Sequence, residues 1–136
     1  MKYLLDTGAL FALGILDHEF HDRMNGWLEK LRVRGIPELA TCAITELGFV
    51  RILAQAPQYS FTVEQGKSLL SELKKRNAAS FTFIADGHGV SELPQWVRMP
   101  KQITDGHLAE LAKANGAILA TLDERIPGSF VIPGKR

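Results

Sequence analysis

The sequence predicts an α/β domain organised around a central, mainly parallel β-sheet. Short apolar runs suited to strands recur at residues 3–5, 39–41, 80–85 and 117–121. Segments with helical spacing of apolar residues separate them, and no internal repeat or linker interrupts the pattern. Parallel neighbours need crossover connections, and helices of this length supply them.

Taken in order, Tyr3, Leu4 and Leu5 form a buried strand ending at Asp6. Gly8 to Leu16 is an apolar run too long for a typical strand, so a helix is expected there. Across His18 to Arg32, Phe20, Met24, Trp27, Leu28 and Leu31 recur at helical spacing with charged residues between them, the pattern of an amphipathic helix. Gly35 and Pro37 break it before a second strand, Leu39 to Thr41. The next helix, Ala43 to Ala54, is expected to turn Ala43, Leu47, Val50 and Ala54 inward, and Pro57 closes it.

Thr62 opens a further helix, with Lys74, Lys75 and Arg76 in its last turn, where cations suit the helix dipole, and Asn77 at its end. Ser80 to Ala85 is a strand and Asp86 to Gly89 a glycine-rich loop, whereas residues 90–101, with Pro94 and Pro100, show no periodicity. Thr104 is expected to N-cap a helix over Asp105 to Asn115, closed by Gly116. Ala117 to Thr121 is the next strand, and Ser129 to Ile132 adds a last short one.

Composition sets bounds on what this fold can be. A chain of 136 residues with 46% hydrophobic content supplies one core, so residues 1–136 are expected to form one domain. The mean hydropathy of -0.01 is that of an ordinary globular protein. Cys42 is the only cysteine and cannot form an intramolecular disulfide, which fits a reducing, cytoplasmic setting. The apolar run at Gly8 to Leu16 is too short to span a bilayer, and acidic Asp6 precedes it where an export signal carries basic residues. The formal net charge of +1 advertises no polyanionic partner. Committing several acids to a cation would nevertheless leave the remaining surface basic.

The chemistry-bearing residues are acids. In open parallel sheets, sites form beyond the carboxyl ends of the strands. Asp6 follows the first strand directly, and Asp123 follows the 117–121 strand after Leu122. Glu46 borders the apolar side of its helix, where an unpartnered carboxylate costs several kcal/mol, roughly, unless a cation or a hydrogen-bond cluster receives it. Asp105 lies in the first turn of its helix, a place that favours an anion even without function. Four carboxylates brought together would repel and partly protonate unless a hard cation shared them, and Mg²⁺ or Mn²⁺ bound this way can activate water against a phosphate.

The segments Tyr-Leu-Leu-Asp-Thr-Gly-Ala-Leu (3–10), Thr-Glu-Leu-Gly-Phe-Val-Arg (45–51), Ile-Thr-Asp-Gly-His-Leu-Ala (103–109) and Gly-Ala-Ile-Leu-Ala-Thr-Leu-Asp (116–123) resemble PIN domains, and most of all VapC-type ribonuclease toxins. The likeness covers essentially the whole chain. It implies a three-layer α/β/α fold in which Asp6, Glu46, Asp105 and Asp123 bind Mg²⁺, or Mn²⁺, and carry catalysis, with Thr7 as a polar neighbour of the site. It further implies hydrolysis of RNA phosphodiester bonds, homodimerisation, and a small cognate antitoxin protein of a type II toxin-antitoxin system. Gly8 departs from the asparagine the family often carries, which removes one side-chain contact near the metal.

Candidate substrate contacts are His107, two residues beyond Asp105, and the cations Arg51, Arg98, Lys101 and Arg125, since a nuclease holds its strand chiefly by the backbone. His18 and His21 are spaced to share a metal or to stand solvated on a polar helix face. Two other readings compete. One is a PIN-like binding module without catalysis. The other is a homodimeric aspartic protease using Asp6, since Asp6-Thr7-Gly8 resembles the motif in which two aspartates share a proton.

Overall fold

Apolar runs and helical segments alternate in the computed structural model, which describes residues 1–76 and 79–134. The expected helix end at Asn77 lies outside the described residues. In chain order the elements are β1 (Lys2–Leu5), α1 (Thr7–Gly14), α2 (His21–Arg32), β2 (Glu38–Cys42), α3 (Ala43–Gln55), α4 (Val63–Arg76), β3 (Ser80–Ile84), α5 (Ile103–Ala114), β4 (Ala117–Thr121) and β5 (Phe130–Val131). Two 3-10 turns, Val90–Glu92 and Pro100–Gln102, lie in the stretch that showed no periodicity.

The sheet order is β3-β2-β1-β4-β5, and every pairing is parallel. β1 is central, with Leu4 opposite Ala40 on one side and Leu119 on the other. Both faces are covered, so strand residues alternate between two buried cores. Leu5, Leu39 and Ala120 point into the larger core with Phe11, Trp27, Phe49 and Leu53 from α1, α2 and α3. Leu4, Ala40 and Leu119 point into the smaller one with Leu108 and Leu111 of α5. The result is three layers, as the sequence implies, with the carboxyl ends of β1, β2 and β4 opening on one edge.

Three local expectations change. The buried stripe of α3 is Thr45, Phe49 and Leu53, with Val50 of the expected stripe partly buried against the larger core, whereas Leu47 is 62% exposed and Ala43 and Ala54 face solvent. This helix is apolar on more than one side, so periodicity alone does not choose the inward face; packing of Phe49 against Phe11 of α1 does. α5 begins at Ile103, continuing the Pro100–Gln102 turn, so Thr104 lies inside the helix and does not cap it. His21 is buried, with its Nδ1 on the Ala12 carbonyl at 2.9 Å and its Nε2 on Asn25, and it serves α1–α2 packing. Trp27 is 3% exposed and belongs to the core.

At the start of α4 the Thr62 hydroxyl accepts the Gln65 N–H and the Gln65 side chain accepts the Thr62 N–H, a reciprocal cap. No described helix is long and apolar enough to cross a membrane.

Candidate active site

β1 ends where its backbone still pairs with β4: the Asp6 N–H donates to the Ala120 carbonyl at 3.1 Å. The chain then turns into α1, and Asp6 caps that helix by accepting the Ala9 N–H at 2.8 Å. The cap fixes the carboxylate at the sheet edge. On the neighbouring strand, fully buried Thr121 hydrogen-bonds Asp6 and accepts the Asp123 N–H at 3.0 Å, so one hydroxyl ties the two strand-end acids together. Asp105, in the first turn of α5, faces the same edge and feels the charge of both.

The electrostatics of these three aspartates differ. Burial pushes the Asp6 carboxyl above its ordinary range, and the Asp123 charge adds to this against the hydrogen bonds from Thr121 and Ala9. Burial also raises Asp105, followed by the charges of Asp6 and Asp123, with Arg125 opposing. Asp123 is lowered instead, because Arg125 hydrogen-bonds it through side chain and backbone. Arg125 Nε and Nη2 lie 3.0 and 3.1 Å from the two carboxylate oxygens, a forked grip.

Glu46 stands apart. Its Oε2 accepts the hydroxyl of buried Thr41, at the end of β2, at 2.6 Å and forms a salt bridge with Lys74 of α4. It sits at the wall of a separate, mainly apolar groove of about 570 Å³ between α3 and α4, which Leu47, Val50, Leu70 and Phe83 also line. The charge of Asp123 acts on Asp6, and those of Asp6, Asp123 and Arg125 act on Asp105. Glu46 is held by Thr41 and Lys74 instead.

The remaining candidates separate similarly. Thr7 opens α1 and packs against Gly48 of α3, where a Cβ would lie 2.7 Å from the Thr7 methyl; it joins helices next to the site. Arg125 and Lys101 line a cavity that Asp105 and Asp123 share. Arg51 and Arg98 are exposed and are not among the lining of the two cavities that Asp123 borders. His107 Nε2 is 2.5 Å from Asp86 Oδ2, and the pair joins α5 to the loop after β3. Burial raises Asp86, but the His107 hydrogen bond, the His88 N–H and the charges of both histidines outweigh it and leave the carboxyl low.

Sequence reasoning missed Thr41, Thr121 and Lys74. The threonines carried a signal: Leu-Ala-Thr occurs at the end of both β2 and β4, immediately before the site. Lys74 carried none, since its partner lies 28 residues away and a last-turn lysine is explained by the helix dipole alone. The protease alternative falls on the fold, because the chain leaves Asp6 directly into α1 within an all-parallel α/β sheet, with no β-built shell around the aspartate.

The donor set suits a hard divalent cation, being all carboxylate oxygen with two members held above their ordinary range partly by mutual repulsion. In their present rotamers no three Asp, Glu, His or Cys side chains among the described residues meet at one ion. Asp123 and Glu46 are each paired with a side-chain cation, Arg125 and Lys74 respectively.

Comparison with known proteins adds to this geometry. The PIN domain family model matches residues 3–128. Ribonuclease VapC44 of Mycobacterium tuberculosis is 33% identical, with 98% of this chain and 94% of that protein aligned. Ribonuclease VapC38 of the same organism is 31% identical over 98% of this chain and 91% of its own length. A crystal structure of VapBC2 from Rickettsia felis, bound to a DNA fragment from their promoter, superposes with a TM-score of 0.62 at 19% identity, covering 96% of this chain and 97% of that one. This last likeness concerns the fold.

Proposed function

Because the chain belongs to the PIN-domain family, we propose that it is a Mg²⁺-dependent endoribonuclease acting as the toxin of a type II toxin-antitoxin pair. The observation that carries the reading is the mutual field of Asp6, Asp105 and Asp123 at the carboxyl edge of β1 and β4, in a chain alignable along its length with Ribonucleases VapC44 and VapC38. Mg²⁺, or Mn²⁺, held by Asp6 and Asp105 with Asp123 and Glu46 as further ligands, would lower the pKa of an attacking water and stabilise charge on the phosphate.

The protein's own groups prepare that chemistry. Thr121 and the α1 cap hold Asp6 in one rotamer. Asp105 rides on α5, which is packed into the smaller core. Arg125, exposed beside Asp105 and Asp123, is placed to contact non-bridging phosphate oxygens once it releases Asp123. No covalent nucleophile is needed. The partners in this reading are an RNA strand, a small antitoxin protein and a second copy of the chain, all in the cytoplasm.

The test is direct. Purified protein should cleave RNA with Mg²⁺, stop on EDTA, and lose cleavage in Asp6→Asn and Asp105→Asn; unchanged cleavage in those variants would end the proposal. A second reading, a PIN-like binding module, draws on the charge pairing of Glu46 and Asp123. It takes over if calorimetry shows Mg²⁺ binding while neither RNA nor DNA is cut.

A further inference from the structure

Asp105, Asp123 and Arg125 also line a cavity whose other walls take no part in the chemistry of the acids. It measures about 310 Å³ and is lined by Trp96, Met99, Lys101, Asp105, Arg125 and Ile126, together with Gln102. We infer that it is a nucleobase subsite, which takes one unpaired base of the strand whose phosphate is presented to Asp105 and Asp123. This rests on the ribonuclease reading for its orientation and adds to it a determinant of substrate choice.

Size and lining both point to a planar, neutral group. The volume is at the lower end of the roughly 300–1,000 Å³ of small-molecule sites and is enough for one base. Trp96, Met99 and Ile126 supply apolar and polarisable walls. Two carboxylates on one rim disfavour an anion inside, while Lys101 and Arg125 offer cations to the flanking phosphates. Asp105 and Asp123 belong both to this wall and to the candidate centre, so base and reacting phosphate would be neighbours on one strand.

The walls are held before any ligand arrives. Trp96 is half-buried and packs on the smaller core, with the 94–97 segment laid directly on α5. A Cβ on Gly106 would fall 2.2 Å from Val97 and 3.2 Å from Pro94, so only glycine permits this contact. The Gln102 side-chain oxygen accepts the N–H groups of Arg98 and Met99 at 2.8 and 3.0 Å, fixing the opposite rim. A preformed aromatic platform lowers the ordering cost of binding. In an A-form duplex the base faces are covered by their neighbours, so the subsite selects single-stranded segments or loops.

Binding is tested apart from cleavage in the Asp6→Asn protein, since Asp6 does not line the cavity. The probes are an unstructured seven-nucleotide RNA and a ribose-phosphate chain of equal length with abasic residues. Trp27 is buried, so quenching of tryptophan fluorescence reports on Trp96. The RNA should quench and bind about tenfold more tightly than the abasic chain. Trp96→Phe should keep that preference, and Trp96→Leu should lose it. Trp96→Leu threatens the core, so Met99→Ala at the half-exposed rim, which changes no charge, gives an independent check and should weaken RNA binding about fivefold while sparing the abasic chain. Equal binding of the two probes, or a preference untouched by Met99→Ala, would overturn the subsite. Base-dependent binding by a protein whose unaltered form cuts no RNA would retain the subsite and discard the ribonuclease reading.

Discussion

At the β1–β4 edge acids accumulate against one another, whereas at the α3–α4 groove one acid is neutralised by its own lysine. Asp6 and Asp105 are held above the ordinary carboxylate range by burial and by neighbouring charge. Glu46 has a threonine hydroxyl and the Lys74 ammonium on one oxygen. In the first region Arg125 grips Asp123 alone, while burial and neighbouring carboxylate charge hold the other two carboxyls high; in the second, Lys74 pairs with the single acid. A divalent ion would therefore relieve the first and compete with Lys74 at the second, so the four acids of the sequence motif are unequal partners.

The largest expected effect separates the two regions by activity. Asp105→Asn should reduce RNA cleavage by roughly 10²–10³-fold, the scale of removing one preorganised electrostatic group, and Glu46→Gln by about tenfold. Single-turnover rates at saturating Mg²⁺ measure both. Equal losses would mean that Glu46 joins the aspartates fully once metal is present.

Next is the placement of α5. Gly106→Ala drives a methyl into Val97 and should cost about 1–3 kcal/mol in urea unfolding, with reduced cleavage because Asp105 shifts with its helix. The Glu46–Lys74 pair lies on the other face of the sheet and should be indifferent to it. Lys74→Met acts in the opposite region. It should cost about 1 kcal/mol without metal, and Mg²⁺ should raise its melting temperature more than that of the unaltered protein. A double-mutant cycle with Glu46→Gln isolates the pair.

These variants also show what the sequence makes legible. Strand ends followed by acids place Asp6 and Asp123 without structural knowledge, because period and topology fix where a parallel strand stops. The side of α3 that faces inward was legible at Val50 but not between Leu47 and Phe49, which are similarly apolar, and only tertiary packing chooses Phe49. Lys74 was hidden for a different reason, being close to Glu46 only after α3 and α4 pack. Trp96 lay in an aperiodic stretch whose conformation depends on Gly106, and a glycine within a helix does not reveal what lies against it.

The smallest effect is the most specific to the comparison. A carboxyl raised in the folded state keeps its proton when the unfolded chain has lost it, so folding stability falls as pH rises from the ordinary value near 3.8 through the folded value. Asp105 and Asp6 act in this sense. Asp123 acts in the reverse sense, its contribution being lost as pH falls, and it is weak because Arg125 is exposed. Without metal, Asp105→Asn should therefore melt higher than the unaltered protein at pH 7, by ~1–3 °C given the partial exposure of Asp105. The gain should shrink towards zero at pH 3, where both proteins are uncharged at that position. Adding Mg²⁺ at pH 7 should reverse the order, since the ion stabilises the aspartate it binds and has less to hold in the asparagine variant. A gain that persists at pH 3 would place its origin in packing, and the repulsion that distinguishes this edge from the Glu46 groove would then be absent.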